Sequence, residues 1–269
     1  MKILKLIYIY HLTSLMYGAI IAMFVLCTII ICVYLYILLF PTNIKGGIFM
    51  PGMLCHLMFA EKVYRKLTLS FNLNRIDFLS GNILPDLAVD KTSSHFQIHT
   101  PIVCLAIPNI QRAQKVLFAL DNSLRFGAFC HLYLDYYFIK NFLIPNFIWD
   151  IDDMLVINPN NNCKWSTHDF FSNKGLYGAY TEINHLILRD GYISNELLNS
   201  IPSILPETGI TAFDIRNSKT WREELAGYLS CKASYSGILL EYDTLLEFIN
   251  DVANQFVSKD ISLFLANNH

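Results

Sequence analysis

His131 and Asp135 stand four positions apart in a segment that is otherwise apolar almost throughout, Gly127-Ala-Phe-Cys-His131-Leu-Tyr-Leu-Asp135-Tyr-Tyr-Phe138. Positions i and i+4 share one face of a helix. The imidazole and the carboxylate are therefore expected to leave a buried segment in the same direction. A buried polar pair has to be hydrogen-bonded, or bound to a cation, to offset the cost of leaving water. Upstream, His56 falls within an apolar stripe made by Leu54, Leu57, Met58, Val63 and Leu67. Asp86 follows Ser80-Gly81-Asn82-Ile83-Leu84-Pro85, and His95 and His99 lie four apart, a spacing that lets one helical turn grip a metal. Downstream, His168 and Asp169 follow Ser166 and Thr167, either of which can cap a helix that turns them inward. Taken singly, each has an ordinary explanation: a satisfied core histidine, a helix cap, a polar loop. Together they form a candidate ligand set of imidazoles and carboxylates, with His185 assigned to surface or core.

These residues need helices to position them. Helical spacing predicts one helix after Pro51, with Glu61, Lys62, Arg65 and Lys66 on its wet side. A short helix over residues 72–79 is expected to break at Gly81 and Pro85, placing Asp86 at a turn or a new helix start. Residues 101–108 read as a loop or buried link. Residues 109–120 and 121–142 read as two helices, the second capped by Asn122 or Ser123. The Asn-rich stretch 150–164 reads as an exposed loop, and further amphipathic helices complete the chain. No alternating strand pattern persists, so the expected class is all-α.

Composition narrows the functions. Hydrophobic residues make up 54% of the 269 and charged residues 16%, and much of the apolar excess lies in the first forty. A net charge of -2 gives no basic field, so no nucleic acid polymer is expected as a partner. The seven cysteines form no C-x-x-C pair, which argues against a thiolate zinc site or a disulfide framework. Residues 17–40 carry no charge and are long enough to cross a bilayer. Two readings of residues 1–49 stay open. They are a single-pass membrane anchor, or they are upstream sequence and synthesis starts at Met50, because Lys45-Gly46-Gly47 can be encoded by a ribosome-binding sequence just before that codon. The second reading makes the protein cytoplasmic. In both, residues 50–269 are the helical domain.

The order His56, then Gly81-x-x-x-Pro85-Asp86, then Ser94-His95-Phe96, then Gly127-x-x-x-His131-x-x-x-Asp135 resembles the zinc-dependent phospholipase C family. Its all-helical fold is shared with the S1/P1-type nucleases. The resemblance covers residues 50–135 well and the remainder loosely. It implies that His56, Asp86, His95, His131 and Asp135 are zinc ligands, that Asp86 and Asp135 serve catalysis, and that the substrate is a phospholipid or another small phosphodiester attacked by a metal-activated water. The chain departs from the family pattern in three places. Nothing before His56 matches the family's N-terminal Trp ligand, residues 136–142 hold no histidine, and the later H-x-x-x-E pair is absent, with Gly178 before Glu182 and Ser172 after His168. One or two zinc ions are therefore expected rather than three, with His168 or Asp169 completing the site. A helical metal-binding or interaction module without turnover is the alternative.

Overall fold

A computed structural model describes residues 51–68, 70–102, 105–215, 220–230 and 239–261, together with Met23. The chain divides into two compact units, Met1–Gly47 and Ile48–His269. The expected span over residues 17–40 lies outside the described residues, apart from Met23. Among the described residues, no helix is long and apolar enough to cross a membrane.

The second unit is mostly helical, with two small antiparallel sheets that correct the all-α expectation. Its first helices are α1 (Met53–Leu67), α2 (Arg75–Leu87) and α3 (Lys91–Ser94). Strands β1 (Gln97–His99) and β2 (Ala106–Pro108) form the first sheet. Helices α4 (Ile110–Leu117) and α5 (Asn122–Tyr137) follow, and α5 continues as a π-helical turn over Phe138–Leu143 and as α6 (Ile144–Asn146). Strands β3 (Ile148–Asp150), β4 (Leu155–Ile157) and β5 (Lys164–Ser166) make the second sheet in the order β3-β4-β5. After it come α7 (Thr167–Phe170), α8 (Leu176–Arg189), α9 (Asn195–Ser200), α10 (Trp221–Ser230) and α11 (Tyr242–Gln255). Strands this short show no alternation that could be seen in the residues, and the second sheet occupies much of the stretch expected to be a loop.

The centre is α5, which is buried without a break from Arg125 to Asp135. A surface helix shows one apolar stripe, whereas a helix apolar on all sides is enclosed. Helix α2 packs on it at unusually close range. A Cβ on Gly81 would lie 2.1 Å from the Leu124 carbonyl oxygen, and one on Gly127 would lie 1.8 Å from that of Phe78. Only glycine allows the two backbones to approach so far.

Contrary to expectation, α2 runs through both Gly81 and Pro85. Pro85 removes one hydrogen bond of the helical ladder, but burial of Ile83, Leu84 and Leu87 beside the close α5 contact holds the helix on course. Asp86 therefore sits in the last turn of α2. The second correction concerns His95 and His99, which do not share a helical turn. His95 caps the end of α3, Phe96 takes a left-handed φ of 50°, and the chain turns into β1, where His99 is exposed.

Candidate metal centre

Three helices and one helix end bring five polar side chains to one point inside the domain: His56 from α1, Asp86 from α2, His95 after α3, and His131 and Asp135 from α5. His56, His95, His131 and Asp135 are fully buried, and Asp86 is 18% exposed. The His95 and His131 Nε2 atoms are 3.1 Å apart. From His131 Nε2 it is 3.3 Å to Asp135 Oδ2 and 3.8 Å to Asp86 Oδ1. From His95 Nε2 it is 3.7 Å to Asp86 Oδ1 and 3.8 Å to Asp135 Oδ2. The His56 ring stacks on His131 at 3.8 Å and 11°, and its Nε2 lies 3.0 Å from Asp135 Oδ1.

The opposite edges of the rings fix their tautomers. His131 Nδ1 is 2.8 Å from the Asn82 carbonyl oxygen, and His95 Nδ1 is 2.9 Å from that of Lys91. A carbonyl can only accept, so Nδ1 carries the proton on each neutral ring and Nε2 presents a lone pair. Burial keeps all three rings neutral. It lowers the pKa of His56 to about 4 against the opposing pull of Asp86 and the Pro51 carbonyl. Burial lowers His95 and His131 as well, and the repulsion that a second protonated ring would bring reinforces it, from His131 at His95 and from His56 at His131.

Two lone pairs therefore face each other at 3.1 Å beside two carboxylates. Without a cation that arrangement is repulsive. His56 Nε2 and both Asp135 oxygens also lack a partner in hydrogen-bond geometry, although they are fully buried. A buried polar atom without a partner is costly and rare. These orphaned donors fit a cation. In a tetrahedral site with zinc–nitrogen and zinc–oxygen bonds of about 2.0–2.1 Å, neighbouring ligand atoms lie about 3.4 Å apart. The separations within the triplet of His95, His131 and Asp135, at 3.1, 3.3 and 3.8 Å, bracket that edge. Ligand-atom triplets are formed by His56, Asp86 and His131 and by His95, His131 and Asp135.

The two carboxylates are shifted in opposite directions. Burial raises the pKa of Asp135 well above the usual carboxylate range. Burial acts the same way on Asp86, but attraction to His131 once protonated, then to Lys91 and to protonated His56 and His95, outweighs it and holds Asp86 below that range.

The structure thus collects His56, Asp86, His95, His131 and Asp135, and it does not collect His168. Ser166 does cap α7, accepting from the Asp169 backbone N–H at 3.1 Å. The helix turns His168 outward, however, to 87% exposure, and Asp169 pairs with Lys174. The capping signal fixes where α7 begins but not which way its short face looks. His185 is exposed and meets the Leu229 carbonyl at 3.2 Å.

Supporting residues were embedded in the same motifs without being singled out. Besides its carbonyl, Asn82 contributes a side-chain amide. In the orientation that satisfies both ends, its nitrogen donates to the His56 carbonyl at 3.1 Å and its oxygen accepts from the His131 backbone N–H at 3.3 Å. The Ser94 hydroxyl lies 2.8 Å from the Pro85 carbonyl and 2.9 Å from His95 Nδ1, joining the end of α2 to the imidazole. Such outer hydrogen bonds orient metal-binding rings.

Comparison with known proteins gives no match to a family model, a curated protein or a solved structure.

Proposed function

We propose that the protein is a metal-dependent hydrolase of phosphodiesters, with zinc held by His95, His131 and Asp135 and with Asp86 and His56 beside it. The reading rests on one observation: two lone-pair nitrogens and one carboxylate oxygen, from His95, His131 and Asp135, lie 3.1 to 3.8 Å from one another inside the core. The motif order shared with the zinc-dependent phospholipase C family supports it. A bound zinc supplies a water whose pKa falls to about 7, making hydroxide available at neutral pH.

The chain's own groups divide the remaining work. The Asn82 and Lys91 carbonyls hold His131 and His95 as neutral ligands. Asp135 is sealed, and its second oxygen lies 3.0 Å from His56 Nε2. Asp86 is the carboxylate of the cluster that meets solvent, so it is placed to orient the attacking water.

A second reading has Asp86 or His56 close on the metal as a fourth donor. Four protein donors are the number found in closed structural zinc sites, whereas catalytic sites keep a position open. On that reading the ion stabilises a helical binding module without turnover. Zinc content of the purified full chain tests the shared premise, and hydrolysis of bis-p-nitrophenyl phosphate separates the two. Bound zinc with hydrolysis abolished by Asp86→Asn supports the enzyme. Bound zinc without hydrolysis supports the module.

A further inference from the structure

We infer that the Lys91 side chain is the anion-binding group at the mouth of this site, placed to hold a phosphoryl oxygen of the substrate; the inference rests on the hydrolase reading above. Lys91 opens α3, four residues before His95, and its own carbonyl accepts the His95 Nδ1–H at 2.9 Å. The residue is thereby tied to a ligand through its backbone, which leaves its side chain unrestrained by that contact. Positions four apart lie on one helical face, which places Lys91 on the side of α3 that carries His95. It is close enough to act on the charges of both Asp86 and His95.

Lys91 is half-buried, and among the described residues no carboxylate lies within ion-pair distance of its ammonium. The nearest acid in sequence, Asp90, is committed elsewhere. Its carboxylate caps α3, accepting from the Thr92 and Ser93 backbone N–H groups and from the Ser93 hydroxyl. Asp86 is ionised, but it belongs to the metal cluster, and a bound cation would take up its charge. A half-buried cation left without a counter-ion, beside the only cluster carboxylate that reaches solvent, is matched by an anionic ligand. A charge-assisted contact from lysine to a phosphate oxygen serves that purpose.

The backbone and side-chain roles can be separated, because substitution of Lys91 keeps the carbonyl that orients His95. Zinc-loaded full chain is titrated with inorganic phosphate by calorimetry, comparing wild type, Lys91→Met and Lys91→Arg, with zinc content measured for each. Both variants are expected to keep their zinc. Lys91→Met should bind phosphate about tenfold more weakly, and Lys91→Arg should recover most of that loss. On bis-p-nitrophenyl phosphate the Met variant should lose kcat/KM by a similar factor. Equal phosphate affinity in wild type and Lys91→Met would overturn the inference while leaving the metal reading intact. Loss of zinc from Lys91→Met would overturn it too, by showing a structural role. A wild type without zinc would remove the reading on which it stands.

Discussion

The Nε2 atoms of His95 and His131 are 3.1 Å apart, and the other nitrogen of each ring is occupied by a backbone carbonyl. Neither ring can rotate to relieve the contact without leaving a buried N–H or carbonyl unpaired. The repulsion is therefore built into the fold, and a cation held between the rings would resolve it.

Metal binding to the folded state alone should stabilise it by mass action. At a free zinc concentration a thousand times Kd the gain is about 4 kcal/mol. For a domain of this size, that corresponds to roughly 10 °C in melting temperature. Chelation should lower Tm by that order, and added zinc should restore it. His131→Ala should abolish the response, whereas His185→Ala, whose ring is exposed, should keep it. Differential scanning fluorimetry with and without chelator reads both, and equal effects of the two substitutions would count against the site.

Asp135 gives a prediction with opposite signs in two states. Its folded pKa is raised by burial, so its contribution to stability is full below the unfolded value near 3.8 and is lost as pH rises towards the folded value. At neutral pH the metal-free group therefore destabilises the fold. Asp135→Asn should raise the Tm of the chelated protein while removing its response to zinc. A fall in the chelated Tm would show that the carboxylate is structurally satisfied without metal.

The histidines give the complementary pH dependence. His56 has a folded pKa of about 4 against 6.5 unfolded, so between those values the unfolded chain binds more protons. Its contribution is constant above pH 6.5, falls as pH drops through that value, and levels off near pH 4. The loss from His56 alone is about 3 kcal/mol. His95 and His131 shift in the same direction and add to it. Denaturant unfolding of the chelated protein from pH 7 to 4.5 should show stability falling with pH. His56→Gln should flatten the curve, and an unchanged slope would contradict the assignment.

The glycines at the α2–α5 contact can be tested directly. A methyl group on Gly127 would need the space of the Phe78 carbonyl oxygen, 1.8 Å from the ideal Cβ. Gly127→Ala should force the helices apart, destabilise the domain by roughly 1–3 kcal/mol or more, and displace Asp86 from His131 and Asp135. Zinc affinity should fall together with Tm. Gly227→Ala, where a Cβ meets nothing within 4 Å, is the control.

Much of the cluster was legible because its geometry is local. The four-residue step from His131 to Asp135 needs only helical periodicity, and the enclosure of α5 follows from its unbroken apolar character. The convergence of Asp86 and His95 on that helix depends on tertiary contacts that no spacing encodes. The path of α2 through Pro85 is decided by packing against α5, which overrides the local preference of proline. His99 was misplaced because the left-handed turn at Phe96, a residue that rarely adopts it, ends the helical register after His95. His168 was misplaced because a cap sets a helix start and leaves its rotation open. The small sheets escaped because strands of three residues carry almost no periodic signal.

Elemental analysis of the purified full chain, side by side with His131→Ala and His168→Ala, bears most directly on the metal centre. The structure predicts bound zinc in the wild type and in His168→Ala, and none in His131→Ala. A wild type that carries no metal, or zinc lost on replacing the exposed His168 but kept without His131, would contradict it.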